Sequence, residues 1–294
     1  MSVRWGPLTG DDVGALDAFW HAVEAADRTD ERLSAADQFA TPGLDLATGT
    51  LAAWDGDAIV AAALMPSRPE VQRLWGAVHP GHRRQGYGTR LLTWATGAAV
   101  ARMLEVNLYV DIPGTAELAE GAGLTRSRLF ADMGRDLAAE LPPVTVPAGV
   151  EFVTWTPALD EGAMEVRNAA FRDHWGSVPH TRESWRHFQV GAGFVPSLSF
   201  LALAGGRPVS LVITHDRGAT AWIHIVGTLR EWRGKGVAGG LLAHALAAFR
   251  AAGYGTAGLA VDATNPTGAV RVYERAGFVV TREHAAYTRE FRPA

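Results

Sequence analysis

The chain has 294 residues, 48% of them hydrophobic, which is enough for two folded domains of roughly 100–200 residues each. Its formal net charge of −4 provides no basic surface, so nucleic acid is not an expected partner. The absence of cysteine excludes disulfides, thiolate nucleophiles and cysteine-bound zinc.

The chain starts without an apolar signal core, and no run approaches the ~20 apolar residues of a membrane span. We therefore expect a cytoplasmic protein with no membrane partner.

The first half of the chain is predicted to form helices and then a sheet. Residues 11–26 have a helical pattern, and Asp55-Gly56-Asp57 before an apolar run indicates a hairpin. The later elements are strands at 75–80, 106–111 and 128–137, with helices between them.

The second half repeats this order about 150 residues later. RGKGVAGGLL at 233–242 corresponds to RRQGYGTRLL at 83–92, and Gly205-Gly206-Arg207 repeats the hairpin signal. Three prolines between residues 138 and 149 indicate a stiff, extended connector. We therefore predict an N-terminal domain over 1–137, a proline-rich connector over 138–147 and a C-terminal domain over 148–294.

The glycine-rich turn of the second half fits two templates. Gly234, Gly236 and Gly239 form G-x-G-x-x-G, and Asp262 follows about 20 residues on, as in a dinucleotide-binding fingerprint. The first half keeps only one of those glycines, because Arg84, Gly86 and Thr89 stand at the matching positions. The pattern that both halves keep begins at Arg233 and Arg83, which favours a coenzyme A pyrophosphate loop.

Both halves resemble the GCN5-related N-acetyltransferase (GNAT) superfamily, whose hallmark is Q/R-x-x-G-x-G/A opening a helix after the fourth strand. The second half also contains N-x-x-x-A-V-x-x-Y-x-x-x-G-F, here Asn265 to Phe278. Among two-domain members, the length, the connector and RNAAF at 167–171 are similar to those of the mycothiol synthase-like group. The resemblance implies an α/β fold of two tandem GNAT-like domains, each with a mixed, mostly antiparallel sheet flanked by helices.

The resemblance also implies acetyl-CoA as the cofactor. The glycines allow backbone N–H groups to approach a pyrophosphate at a helix N-terminus. The alternative is a plain strand-to-helix turn with no ligand. The expected coenzyme-binding residues are Val226, Gly227, Thr228, Arg233, Gly234, Lys235, Gly236, Val237, Ala238, Gly239 and Asn265.

Two catalytic residues follow from the same resemblance. His224, on a strand where Trp222, His224 and Val226 are expected to share one face, is the candidate base. Tyr273 matches the family's general acid, which protonates the departing thiolate. Trp222 stands where many relatives have an acidic residue, so Asp262 or an acid from the first helices remains an alternative base.

Gly227 is a candidate for a bulge that separates the neighbouring strands. A backbone N–H near Gly227 or Thr228 would then polarise the thioester carbonyl.

The acceptor is expected over residues 171–188, where Asp173, His174 and Trp175 combine with Trp222 into a polar, aromatic surface. The alternative is an amphipathic helix pair with a capped second start at Thr181. The spacing of the histidines in this stretch fits no standard metal site, so no metal is expected.

The first half lacks the catalytic residues. Ala119 stands where Tyr273 is expected, and its fourth strand offers no histidine or carboxylate. We expect it to be catalytically silent, with a possible second coenzyme site formed by Val78, Arg83, Arg84, Gly86 and Gly88.

The predicted function is acetyl transfer from acetyl-CoA to a primary amine of a small molecule, by direct attack in a ternary complex. The amine could belong to an amino sugar, an aminoglycoside-like compound or a mycothiol-precursor-like compound. Alternatives are a protein or peptide N-acetyltransferase and an acyl-CoA-binding regulatory pseudoenzyme. Monomer and homodimer both remain open.

Overall fold

A computed structural model describes residues 3–29, 34–68, 70–175, 177–264 and 268–291. Within these ranges the chain forms twelve strands and nine α-helices. They fall into two compact units, one of residues 1–129 with 283–294 and the other of residues 130–282. The mixed, mostly antiparallel α/β architecture predicted for two tandem domains is confirmed.

The first unit places its strands in the order β1-β2-β3-β4-β5-β12-β6, where β12 is the last strand of the chain (Val279–Glu290) and β4 and β5 are parallel. Helix α1 buries Leu16, Phe19 and Val23 on one stripe, the spacing of an amphipathic helix. The elements are β1 (Arg4–Gly6), α1 (Val13–Asp27), α2 (Ala35–Phe39), α3 (Leu46–Gly49), β2 (Thr50–Asp55), β3 (Ala58–Leu64), β4 (Val71–Val78), α4 (Tyr87–Ala98), β5 (Met103–Tyr109), α5 (Thr115–Gly121) and β6 (Thr125–Asp136).

The second unit has the order β12-β6-β11-β10-β9-β8-β7, with β10 and β11 parallel. Its main core lies between this sheet and α8, which buries Leu241, Leu242, Leu246 and Phe249. The elements are β7 (Val150–Thr154), α6 (Asp160–Ala170), α7 (Arg182–Phe188), β8 (Phe200–Ala204), β9 (Arg207–Arg217), β10 (Thr220–Thr228), α8 (Val237–Ala251), β11 (Thr256–Asp262), α9 (Ala269–Arg275) and β12 (Val279–Glu290).

Two long strands, β6 and β12, each contribute one end to each unit. Residues 284–290 of β12 pair with β5 in the first unit, and residues 130–136 of β6 pair with β11 in the second. The compact units therefore divide the chain at 129 and 282, whereas the sequence indicated one linear division at the connector. The cause is an exchange of closing strands, by which we mean the last strand of each half of the chain. Strand β12 completes the sheet of the first unit, and β6 completes the sheet of the second.

The connector is held against the second unit at Gly240. A Cβ on Gly240 would lie 2.0 Å from the Thr145 carbonyl oxygen, so only glycine allows this approach. The adjacent Gly239 has no atom within 4 Å of a Cβ position. The two neighbouring glycines thus serve different purposes. Gly240 allows the connector to pack against α8, and Gly239 leaves space in front of the helix start.

Among the described residues, no helix combines the length and the apolar character needed to cross a membrane.

Candidate active site

The loop from Arg233 to Gly239 leads from the end of β10 into α8. Gly234 and Gly236 have φ values of +72° and +79°, a region that glycine adopts without the steric cost of a side chain. The first bond of α8 runs from Gly240 N to Gly236 O (2.9 Å), so the amides ahead of it in this turn have no helical acceptor. The exposed loop presents these amides and the positive end of the helix dipole to a phosphate.

Arg233 secures this loop. Its Nε donates to the Thr228 carbonyl (3.2 Å) and its Nη2 to the Ala170 carbonyl at the end of α6 (2.8 Å). The guanidinium therefore ties together the end of β10, the end of α6 and the start of the loop. Its main role in this geometry is to fix the loop.

The other predicted coenzyme residues differ in what they can present. Lys235 Nζ lies 4.8 Å from the centre of the Trp232 ring. Val237 is 1% exposed in the core and Ala238 is half-buried, so they can offer little beyond their backbone. Asn265 lies outside the described residues.

The first unit has the same loop with one strained position. Gly86 begins α4 at φ +83°, and Arg84 has φ +64°, a conformation rare for a residue with a side chain. Arg83 Nε donates to the Val78 carbonyl (3.2 Å), and both its Nη atoms bind Asp27. Gly88 serves packing instead, because a Cβ there would lie 2.9 Å from Leu118.

Strands β10 and β11 part in the middle of the second sheet. Their parallel pairing ends at Ile223 and Leu259, and the pairing of β10 with β9 shifts register between Ile223 and Ile225. The bulge residue is thus His224. Gly227, the residue expected at the bulge, pairs regularly with Leu211, so that expectation is wrong. Beyond Ile223, alternate N–H groups of β10 face the gap and are available to a bound carbonyl.

His224 is an extra residue relative to the first unit. Strand β4 parts from β5 at Leu74, and Gly86 lies 12 positions later; Gly236 lies 13 positions after Ile223. Residues Trp75 to Val78 of β4 pair with β3 in an unbroken register. The second unit therefore carries a one-residue insertion at the point where its strands separate.

The insertion also changes which side chains share a face. Ile223 and Val226 pack against the α8 core, whereas Ile225 belongs to the cluster under α6 and α7. The prediction that Trp222, His224 and Val226 share one face of β10 is therefore wrong for Val226. Strict alternation fails because two residues of β10 oppose one of β9 at the bulge.

His224 is exposed to solvent, although its ring lies against a second histidine. Its ring stacks on His215, with centroids 4.4 Å apart and planes at 12°. Burial among the surrounding residues, followed by the charge of His215, lowers the pKa of His224 well below 6.5. The side chain is therefore exposed to water while the residues around it still disfavour its charged form.

Asp262 ends the neighbouring strand β11, and Tyr273 lies in α9 after it. Tyr273, in α9, is 8% exposed, and burial raises the pKa of its phenol above 10, so it keeps its proton. Asp262 is 5% exposed, and its Oδ1 accepts from the N–H and the hydroxyl of Thr264 (2.8 and 2.6 Å). Asp262 thus holds a turn, which makes it a poorer alternative base than His224.

The predicted acceptor stretch, residues 171–188, follows α6, and its first residue lies next to the end of β10. A Cβ on Gly227 would lie 3.4 Å from both Ala170 and Phe171, and the Phe171 ring packs against His174 (5.4 Å). His174 Nδ1 donates to the Trp175 carbonyl, and Asp173 is exposed. Trp222 lies over the backbone of Gly258, where a Cβ would come within 2.7 Å of the indole.

Sequence reasoning missed His215 and Gln189. His215 Nε2 donates to the Gln189 carbonyl (2.8 Å), and Gln189 Nε2 donates to His180 Nε2 (3.1 Å). A signal was present, because a hairpin turning at Gly218 places His215 opposite Trp222 and near His224. In the described part of the chain, no group of three or more His, Asp or Glu is arranged to hold a metal ion.

The loop, the parted strands and the histidine on a bulge are the features expected of an acyl-coenzyme A transferase. The model of the acetyltransferase (GNAT) family matches residues 16–118 and 161–278, one copy in each half. The chain therefore belongs to the GNAT family and is an acetyl-CoA-dependent acetyltransferase. The resemblance stated from the motifs is confirmed.

Individual relatives and solved structures are similar to this chain over most of its length. A mycothiol acetyltransferase from Thermobispora bispora is 37% identical over 236 residues, 76% of this chain and 78% of the relative. The crystal structure of a GCN5-related N-acetyltransferase from Sphaerobacter thermophilus has a TM-score of 0.79 at 27% identity and covers 99% of this chain and 96% of its own. A tandem GNAT protein from the clavulanic acid biosynthesis pathway (TM-score 0.75, 21% identity, both chains fully covered) supports the fold alone.

Proposed function

We propose that the second unit transfers the acetyl group of acetyl-CoA to a primary amine of a small molecule by direct attack. The observation that carries the proposal is the insertion of His224 where β10 and β11 part, on the strand that leads into the glycine loop. Similarity to mycothiol acetyltransferases supports a small-molecule acceptor. The absence of cysteine fits transfer without a thioester-linked enzyme intermediate.

The loop fits the phosphates of coenzyme A. The positive φ of Gly234 and Gly236 turns the backbone toward the start of α8, and neither glycine has an atom within 4 Å of a Cβ position. The open space in front of these amides can therefore take a pyrophosphate. Acetyl-CoA would supply the activated thioester, and the remaining steps belong to residues of the chain.

Each residue then has a defined task. An N–H of β10 past Ile223 donates to the thioester oxygen, where negative charge develops. His224, neutral at pH 7 because of its lowered pKa, accepts the proton of the attacking amine. Tyr273, a phenol that keeps its proton at neutral pH, donates this proton to the departing sulfur.

Release of free thiol from acetyl-CoA across a panel of amines tests this proposal. Wild type should turn over at least one small primary amine, and His224→Ala should lower kcat/KM by about 10²–10³-fold. Undiminished turnover in His224→Ala would contradict the assignment of the base. Activity on peptides alone would favour a peptide N-acetyltransferase, and coenzyme binding without any turnover would favour a regulatory pseudoenzyme.

The lowered pKa of His224 predicts a pH profile. His224 loses activity as a base only when it is protonated, so its limb of kcat/KM should lie below pH 6.5. The charge of His215 contributes to this lowering, so His215→Gln should move the limb toward higher pH. Comparison of the pH profiles of wild type and His215→Gln isolates the ionisation of His224, because ionisation of the acceptor amine contributes equally to both profiles.

His244→Gln is the matched control for the pH profile. His244 packs against Phe152 and Phe200 on the α8 side of the sheet, and burial lowers its pKa as well. Its replacement should leave the limb in place. A limb that moves equally in both variants would rule out a specific effect of His215 on His224.

Gly236→Ala should raise KM for acetyl-CoA about tenfold, since a left-handed conformation costs a residue with a Cβ roughly 1–2 kcal/mol and the methyl group enters the phosphate space. Gly253→Ala is the control, because Gly253 has φ +89° and open space but lies after the end of α8. Equal stability losses with a KM change in Gly236→Ala alone would support the loop assignment. Equal KM values would contradict it.

We also propose that the first unit retains coenzyme binding without catalysis. Its loop keeps the φ of Gly86, but α5 carries the fully buried Ala119 in place of a tyrosine. Equilibrium dialysis should give two coenzymes per chain, falling to one in Gly86→Ala with kcat unchanged. One coenzyme in wild type would limit binding to the second unit.

A further inference from the structure

One arginine of the second unit comes from the first half of the chain. Arg135 stands opposite Ala257 where β6 pairs with β11. Its side chain is on the face of β6 that carries Ala131 and Met133, because alternate residues of a strand share a face. Both of those side chains are buried in the core cluster that also contains Tyr273. The exchange of closing strands therefore brings Arg135 to the side of the sheet on which the proposed acid lies.

Arg135 covers the turn that ends α9. A Cβ on Gly277 would lie 2.7, 2.8 and 3.0 Å from Nη1, Cζ and Nε of Arg135, so the guanidinium lies directly on this glycine. Gly277 has φ +84°, and Arg135 Nη2 donates to the Glu140 carbonyl in the connector. The arginine therefore joins the turn to the connector. Its positive charge also lies near the C-terminal end of a helix, where a cation is favourable.

The turn at Gly277 is bonded directly to the backbone of Tyr273. The Phe278 N–H donates to the Tyr273 carbonyl (3.0 Å), and the Gly277 N–H donates to the Glu274 carbonyl (2.9 Å). The Phe278 ring also packs edge-on against the Tyr273 ring. Helix α9 has only seven residues, so tertiary contacts rather than its own hydrogen bonds must hold it in place. A shift of this turn would therefore be passed to the phenol.

The first unit contains the same contact without the tyrosine. Arg289 follows Arg135 by 154 positions, the offset that also separates Gly277 from Gly123. Arg289 Nη1 lies 3.5 Å from a Cβ position on Gly123, which has φ +79° and follows α5. Helix α5 carries the buried Ala119 where α9 carries the phenol. The chain thus provides an arginine on a glycine turn in a unit that has no proposed acid.

We propose that Arg135 is a positioning residue for Tyr273, so that the first half of the chain sets the geometry of proton transfer in the second unit. This rests on the proposed role of Tyr273 as the acid. In that role the phenol O–H bond breaks as its proton passes to the departing sulfur, which requires the oxygen to lie within hydrogen-bond reach of the sulfur. The guanidinium takes no part in the transfer. It holds Gly277 in place, and through Phe278 it fixes the position of the phenol.

Substitution of Arg135 by Met tests this role, because Met keeps the apolar stem and removes the guanidinium. The kcat for thiol release from acetyl-CoA should fall by about tenfold, with KM for acetyl-CoA within about twofold of wild type. Arg289→Met is the control, since it removes the same group from the turn at Gly123 and should leave kcat unchanged. An equal fall of kcat in both variants, or wild-type kcat in Arg135→Met, would overturn the proposal.

A double substitution separates positioning of the phenol from a general loss of structure. If Arg135 acts through Tyr273, Arg135→Met should cause no further fall of kcat in the Tyr273→Phe protein. Losses that multiply would indicate a structural role and rule out positioning. Wild-type kcat in Tyr273→Phe alone would contradict the proposed acid and this proposal with it, so failure of the proposed function is recognised separately.

Arg135→Lys keeps the proposal testable if the Met variant fails to fold. Lys retains the positive charge at the end of α9 and a donor for the Glu140 carbonyl, but it lacks the flat group that covers Gly277. This variant should fold and lower kcat by about threefold, and the fall should disappear in the Tyr273→Phe protein. A fall of the same size without the phenol hydroxyl, or no fall at all, would contradict the proposal.

Discussion

Replacement of Tyr273 by Phe is expected to lower kcat by about 100-fold or more, with little change in KM for acetyl-CoA. Tyr273 is 8% exposed within the core of the second unit, and its ring packs edge-on against Phe278 at 6.1 Å. Phe keeps this packing and removes only the hydroxyl. Burial raises the pKa of the phenol, so the group stays protonated, as the proposed proton donor must.

Tyr287→Phe is the matched control for this substitution. Tyr287 is 5% exposed in the core of the first unit, so its change removes the same atom from an equally buried ring. Both variants should melt within a few degrees of wild type, since one hydroxyl contributes about 1 kcal/mol. Wild-type kcat in Tyr273→Phe would exclude the phenol as the acid, and an equal kcat loss in both variants would indicate a general effect on folding.

The coenzyme loop could be predicted because its backbone restricts its sequence. Positive φ at Gly236 and Gly86 leaves glycine as the favoured residue, so the same pattern appears twice in the chain. The hairpins at Gly56 and Gly205-Gly206 are predictable for the same reason, since each glycine there has positive φ. Local backbone geometry of this kind can be predicted from the identity of a few residues.

The bulge at His224 could not be located from the pattern alone. A constant offset of 150 between the halves aligns Leu74 with His224, and the strand still alternates polar and apolar residues. Only the pairing shows that Leu74 corresponds to Ile223 and that His224 is additional. The insertion is hidden because a register shift changes partners without changing composition.

The exchange of closing strands could not be predicted from the sequence either. Residues 130–136 and 284–290 have comparable strand patterns, and either could pair with the strand that precedes it in its own half. The actual partners of 284–290 lie about 180 positions earlier, in β5. Pairing at such separation depends on the packing of the whole unit rather than on local propensity.

A chain that ends at Arg282 is expected to lose the folded first unit. Residues 284–290 supply the antiparallel partner of β5, and Ala285 and Tyr287 are buried with Leu104 and Val106. Loss of an aromatic side chain from a core costs about 3–5 kcal/mol, and loss of the strand ladder adds to it. Since domains are typically stable by about 5–15 kcal/mol, this unit should unfold.

Hydrogen exchange measured by mass spectrometry distinguishes the two units in this experiment. The chain ending at Arg282 should lose protection in β5, β4 and α4, whereas β10 and α8 should keep theirs, because residues 130–136 still pair with β11. A chain ending at Phe291 is the control and should match wild type, since it keeps all of β12. Addition of a peptide of residues 283–291 should restore protection in β5. Full protection of β5 in the shorter chain would show that the exchanged strand is dispensable, and the first unit would then fold from the first half of the chain alone.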